Sequence, residues 1–400
     1  MPEQHKEATQ QLTDLLQTAR KSLGLGVAFL TRLDGTTQHL EAVESTIPNA
    51  FRAGMSQPQE NSFCQAILDG RLPPVMADVT AYPEAMELPG AHIPWLRSFV
   101  SVPVVLSDGT VYGTFCAAGF DSNPALTPRD RALMDVLSHA ASMIIEPTLR
   151  EHVRQAEIAE RLGPILDAGG PVVLLQPIVN LASRRRVGAE ALSRFPREWD
   201  LPPDRCFADA HAIGEGHRLE LLALRRAAEH LRLVPHYVTM NVSPATLLTR
   251  ACTRLLERFP LDRVVLELSE HEPVEDYDAL KAVLAPLRAR GMRLAIDDVG
   301  AGFSSLRHIV VTQPDVIKLD RSIVTGIGAD PVLSVVTHSL VDLARATGAT
   351  VVAEGVETEC DAAALVAVGV DLGQGWHFGP AVSPEELREE YAAEPAKVPA

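Results

Sequence analysis

The chain has few cysteines, and no two of them are spaced as C-x-x-C. Cys64, Cys116, Cys206, Cys252 and Cys360 are odd in number and widely scattered, which fits neither a disulfide framework nor a thiolate zinc site. Reduced core thiols are expected, because free cysteine is among the most buried residue types. Positive charge is also short: 36 Lys and Arg stand against 52 Asp and Glu, a net charge of −16. A nucleic-acid polymer, which needs a basic face, is therefore excluded as a partner. A small phosphate substrate whose charge is met by metal ions is not. No run approaches the ~18 apolar residues of a membrane span, and the N-terminus lacks the apolar core of a signal peptide. A cytoplasmic protein without membrane contact is expected. His211, His217, His271, His308 and His377 show no metal-ligand spacing and receive no role.

Apolar residues make up 46% of the 400, ample for a core, and the length predicts two domains. Leu12, Leu15, Leu16, Ala19 and Leu23 recur at helical spacing, predicting an opening helix of about three turns. Strand-like runs follow at 27–31, 38–43, 99–106 and 111–118, the last two split by a Ser-Asp-Gly hairpin signal. Residues 62–68 read as helical. A long helix is predicted from Pro128 to Ile145, with Thr127 as N-cap and proline at the first position. Pro147 should kink or interrupt that helix. Residues 146–162 then read as a connecting helix, whose apolar stripe could pair with a second copy or pack on its own domain.

This half is an α+β sandwich by pattern and resembles a GAF domain. The resemblance rests on S-F-C-Q-A-I at 62–67, S-V-P-V at 101–104 and V-Y-G-T-F-C-A-A at 111–118. It implies a sensory module with a small ligand that these motifs do not identify. The N-K-x-F-x-D-E signature of cyclic-nucleotide-binding members is absent. Neither Cys64 nor Cys116 is followed by the histidine expected beside a bilin-attaching cysteine. Trp95 and His92 could line a pocket or simply pack.

From Val172 short apolar runs alternate with amphipathic helices. Strands are expected at 172–178, 187–192, 237–242, 264–268, 293–297, 316–319, 350–353 and 370–373, with helices such as 219–231, 277–290 and 332–347. Eight strands with alternating helices predict a TIM-like (β/α)8 barrel, the direction of the first strand being open. Working residues of such barrels sit at the C-terminal ends of strands. There stand Glu190 and Arg194, Asn241, Glu267 and Glu270, Asp297 and Asp298, Lys318 and Asp320, Glu354 and Glu357, and Gln374. Adjacent carboxylates such as Asp297 and Asp298 repel unless a cation lies between them or solvent screens them. Alone, the pair could be a turn at a strand end. Both acids can face one site only where the strand unwinds, a task Gly300 and Gly302 could perform. The whole oxygen-donor set favours Mg²⁺ or Mn²⁺ and could hold two cations, as in phosphoester cleavage. Glu272, Glu275 and Asp276 read as a solvated helix start.

Eight ordered motifs make this half similar to an EAL domain, a bacterial phosphodiesterase that linearises cyclic di-GMP. They are Q-P-I at 176–178, E-A-L-S-R at 190–194, N-V-S-P at 241–244, E-L-S-E at 267–270, D-D-V-G-A-G-F-S-S-L at 297–306, I-K-L-D at 317–320, E-G-V-E-T at 354–358 and Q-G-W-H-F at 374–378. The resemblance implies that Glu190, Asn241, Glu267 and Asp297 ligate a first metal and Asp298 a second. It implies catalytic roles for Glu354, Lys318 and Gln374, with Glu270 holding the glycine loop. Gln176, Arg194, Asp320 and Glu357 fall where the nucleotide is bound or oriented, although Asp320 and Glu357 could equally orient Lys318 or cap loops. Val299 and Phe303 depart from the usual Phe and Tyr, which puts loop packing and subunit coupling in question. No G-G-D-E-F sequence occurs, so synthesis of the dinucleotide is not expected. The expected organisation is a sensory domain at 1–145, a connecting helix at 146–162 and a phosphodiesterase domain at 163–400, in a homodimer. A non-catalytic dinucleotide receptor and a plain ligand-binding adaptor are the other classes open at this stage.

Overall fold

The computed structural model describes residues 2–47, 51–92, 96–269, 273–300 and 305–393. The chain divides into two compact units, Met1–Arg154 and Gln155–Ala400. In the first, β1 (Val27–Leu33), β2 (Thr37–Ser45), β3 (Ser56–Pro58), β4 (Val75–Met76), β5 (Ser98–Val105) and β6 (Val111–Gly119) form an antiparallel sheet in the order β3-β2-β1-β6-β5-β4. Strand alternation divides its side chains between two faces. Ala28, Leu30, Val102 and Phe115 pack with Leu16 and Ala19 of the helix Pro2–Leu23 and with Met134 and Ala141 of the helix Pro128–Asp167. Val27, Phe29, Phe99 and Cys116 face the other way, against Phe63 and Cys64 of the short helix Phe63–Leu68. The first helix is about twice the expected length.

The helix Pro128–Asp167 opens as expected. Thr127 Oγ1 accepts from Arg129 N, and Asp130 Oδ2 accepts from Thr127 N at 2.6 Å, a reciprocal cap. The expected interruption at Pro147 does not occur; the helix continues unbroken for 40 residues. Proline deprives the Met143 carbonyl of its helical donor. Met143 and Pro147 are both exposed, so water can take that donor's place. The apolar stripe expected over 146–162 is divided: Val153 is exposed, while Leu162 is buried within the second unit.

The second unit is a closed barrel of β7 (Val172–Asn180), β8 (Arg186–Arg194), β9 (Tyr237–Asn241), β10 (Val264–Ser269), β11 (Arg293–Val299), β12 (Val316–Leu319), β13 (Thr350–Ala353) and β14 (Leu372–Gly373). The direction left open by the sequence is resolved: β7 runs antiparallel to both β8 and β14, and the other neighbours are parallel. Its short link to β8 permits a hairpin but not a crossover. The helices Gly216–Glu229, Tyr277–Arg288 and Pro331–Thr347 match those expected to within a few residues, with Asp276 capping the second through Asp278 N and Ala279 N. β14 is shorter than the expected 370–373.

Candidate active site

The barrel's inner wall is built from pairs of residues two apart, which point to the same side of a strand. Ile178, Val265, Ala295, Val316 and Val352 form one buried apolar cluster. Two residues from each stand Gln176, Glu267, Asp297, Lys318 and Glu354. A dry layer thus sits beneath a polar one, and the polar layer lies toward the C-terminal ends of the parallel strands. Glu190 of β8 and Asn241 of β9 join it, as does Gln374 directly after β14.

Lys318 is the hub. Its side chain is 1% exposed, and Nζ lies 2.6 Å from Glu354 Oε1, 3.1 Å from Glu267 Oε1, 3.1 Å from Asp297 Oδ1 and 3.4 Å from Glu190 Oε1. Gln374 Nε2 donates to Glu190 Oε2 at 2.5 Å and to Gln176 Oε1 at 3.0 Å, while Asn241 Nδ2 donates to Glu190 Oε1 at 3.3 Å. Four carboxylates around one ammonium carry more negative charge than it can balance. Burial and mutual repulsion accordingly push Glu267 well up, Asp297 up, and Glu354 up to about 8. For Glu190 burial works in the same direction, but Lys318 and the amides of Gln374 and Asn241 outweigh it and hold this acid below the usual range. Burial would lower Lys318, and the surrounding acids instead hold it well above a normal lysine.

The adjacent aspartates reach one site by a local break in β11. The strand register slips between Ile296 and Val299, and Asp298 itself adopts φ +61°. The unwinding therefore begins at Asp298, with Gly300 at φ +116° continuing it; Gly302 lies outside the described residues. Aspartate tolerates this left-handed conformation better than most residues. As a result carboxylate oxygens of Asp297, Asp298 and Glu354 come within 4.8 Å of one another, and so do those of Glu190, Glu267 and Asp297. Both Glu267 oxygens, Glu354 Oε1 and Lys318 Nζ are buried without a directional hydrogen bond. Buried carboxylate oxygens that share a single ammonium, with no Cys or His among them, suit hard divalent cations.

A cavity of about 710 Å³ opens onto Glu190, Arg194, Asn241, Glu267, Asp297 and Asp298. Arg194 is half-buried there and donates to Ser193 O. Gln176 Nε2 donates to Gly379 O at 3.2 Å. Asp320 caps the helix Arg321–Val324 through Ser322 N, and Glu357 is exposed, so neither joins the central cluster in this structure. Val299 is fully buried beside Leu319. Glu270, His271, Glu272, Phe303 and Trp95 lie outside the described residues, as does the His92 side chain.

Sequence reasoning missed Glu220. It is 7% exposed on the helix Gly216–Glu229 and accepts from Ser243 N, Ser243 Oγ and His211 Nε2, bracing the turn that follows Asn241. The available signal was its helical spacing from Gly216, Leu224 and Ala227, which puts it on the inward face.

Residues 6–146 match the GAF domain and residues 150–381 the EAL domain. An uncharacterized protein of Mycobacterium tuberculosis is 33% identical over 243 residues, covering 56% of this chain and 79% of that one. The cyclic di-GMP phosphodiesterase PdeL of Escherichia coli is 28% identical over 231 residues, covering 54% of this chain and 64% of its own length. Among solved structures, the PaMucR phosphodiesterase in complex with c-di-GMP aligns with TM-score 0.52 at 25% identity, over 58% of this chain and 99% of that one. More than half of the present chain lies within the matched barrel, and it belongs to the EAL-domain family, with a GAF domain preceding the barrel.

Proposed function

We propose that this protein is a metal-dependent phosphodiesterase that hydrolyses cyclic di-GMP to linear pGpG. The observation that carries the reading is the buried polar layer, in which carboxylates from separate strands converge with two groups spaced for cations. Relatives bearing the phosphodiesterase name support the substrate. Glu190, Asn241, Glu267 and Asp297 would hold one Mg²⁺ or Mn²⁺, and Asp298, with Asp297 and Glu354, a second. Such ions neutralise the phosphodiester and acidify water.

The remaining work falls to the chain. Glu354, which burial raises to about 8, would ionise beside bound cations and could then accept the proton of the attacking water. Water adds to phosphorus, one P–O bond breaks, and the leaving ribose oxygen takes a proton, opening the ring. Lys318 positions Glu354 and offsets the acids. Gln374 orients Glu190 and water, while Gln176 and Arg194 hold the nucleotide; Asp320, engaged as a helix cap, and exposed Glu357 act only at its periphery. The proposed organisation is a regulatory GAF-type sensor at 1–145, a connecting helix at 146–162 and the catalytic domain at 163–400, in a cytoplasmic homodimer.

Purified protein incubated with cyclic di-GMP and Mg²⁺ or Mn²⁺ should yield pGpG by chromatography. Asp297→Asn should lose at least ~10²-fold in rate, as when a transition-state charge stabiliser is removed. Binding of the dinucleotide by the parent protein at saturating metal, without pGpG, would instead make it a receptor.

A further inference from the structure

A second cavity, of about 290 Å³, lies within the N-terminal unit. Its wall includes Phe29, Phe63 and Phe99 together with Gln38 and Cys64. Exposed Met55, Ser56 and Gln57 mark its mouth. Behind Cys64, on β6, stands Cys116, and the two sulfurs are 3.4 Å apart. Neither thiol sits in a purely apolar setting. Ser101 Oγ lies 3.3 Å from Cys116 Sγ, and Cys116 Sγ donates to Thr114 Oγ1 at 3.1 Å. Gln38 is 1% exposed, and its Nε2 donor is buried without a hydrogen-bond partner. Polar groups beside two touching sulfurs distinguish this pair from a thiol in a wholly apolar core, which is inert.

We propose that Cys64 and Cys116 are a redox-active dithiol, which a small hydroperoxide entering the cavity oxidises to an intrachain disulfide. Cys64, on the cavity wall, is the attacking thiol and Cys116 the resolving one. Contact with Cys116 outweighs burial and lowers Cys64 to about 7, while burial raises Cys116. The Cys64 thiolate attacks one peroxide oxygen, the O–O bond breaks, and the other oxygen leaves as alcohol or water, giving a sulfenic acid. Cys116 sulfur then attacks Cys64 sulfur. The S–S bond forms, the S–O bond breaks, and hydroxide leaves as water with the Cys116 proton. Two thiols lose two electrons to one hydroperoxide, and an external dithiol reverses the change. The sulfurs need only close from 3.4 Å to the ~2.0 Å of a disulfide.

The test is to treat the full chain with one equivalent of hydrogen peroxide, block free thiols, and map peptides by mass. Cys64 and Cys116 should disappear together into one linked pair, lighter by two hydrogens and restored by dithiothreitol. That pair should form at least ~10-fold faster than Cys206 or Cys252 reacts, the advantage vanishing in urea. Cys116→Ser, or Cys116→Ala should the first fail to fold, should stop Cys64 at a sulfenic acid trapped by dimedone. Cys64 and Cys116 remaining free at a peroxide dose that oxidises exposed Cys360 would overturn the proposal. So would a linkage of Cys64 to any other cysteine.

Discussion

At the scale of single residues, Lys318 holds four acids together that would otherwise repel. Replacing it by methionine leaves the carboxylates buried and uncompensated, which costs about 3–5 kcal/mol when one partner of a buried ion pair is removed. Urea unfolding of Lys318→Met should show that loss in EDTA and much less of it in excess Mn²⁺, because a bound cation supplies the missing charge. An equal loss in both conditions would mean that no cation enters the cluster. Cys252 makes the contrasting case. Burial first, and then the charge of Glu220, push its thiol up to about 12. Iodoacetamide at pH 8 should label Cys360 at once and Cys252 only after unfolding. Because the folded-state value lies above the unfolded one, this group's contribution to stability is complete below about pH 8.5 and is lost as pH rises toward 12. Glu267, Asp297 and Glu354 were legible in the sequence because they stand near the C-terminal ends of parallel strands, while Glu190 lies midway along β8. The Cys64 and Cys116 contact was not, since α-helical and β-strand patterns reveal which face a residue occupies but not which distant residue shares it.

At the scale of elements, backbone conformation does work that residue types only hint at. Asp298 supplies the twist in β11 that the glycines alone were expected to supply. Strand boundaries were readable from apolar runs, yet a register slip leaves no mark in composition. The same limit explains Pro147: proline signals a lost hydrogen bond, and only the exposure of that turn shows that water can replace it. Gly375 is a constrained link next to the polar layer. At φ +154° it lies against Val356, and a Cβ there would be 2.3 Å from the Val356 nitrogen and oxygen. Gly375→Ala must therefore displace backbone, moving neighbouring Gln374 off Glu190. Its thermal midpoint should fall by several degrees, as for a loss of about 1–3 kcal/mol, whereas the same substitution at Gly214, where nothing lies within 4 Å, should cost less. Equal midpoints for the two variants would show that the loop yields without strain.

At the scale of the whole chain, the two units keep separate cores, and a polar mouth on the barrel is affordable because a dry layer supports it from below. The ring itself is uneven. Its joint between β14 and β7 consists of Leu372 opposite Asn180 and Gly373 opposite Val179, against eight matched pairs between β7 and β8. Amides at this joint should exchange with deuterium before those of β10 and β11, since few cross-strand bonds have to open there; slower exchange at the joint than in those strands would contradict it. The first and last staves of the barrel thus meet across almost the entire domain. On a ribosome, the early stave must wait for residue 373 to emerge before the ring can shut. Until then Gln176 and Glu190 have no Gln374 to bind, and a nascent chain cut short of that point would carry most of the acids yet have no finished vessel to hold them.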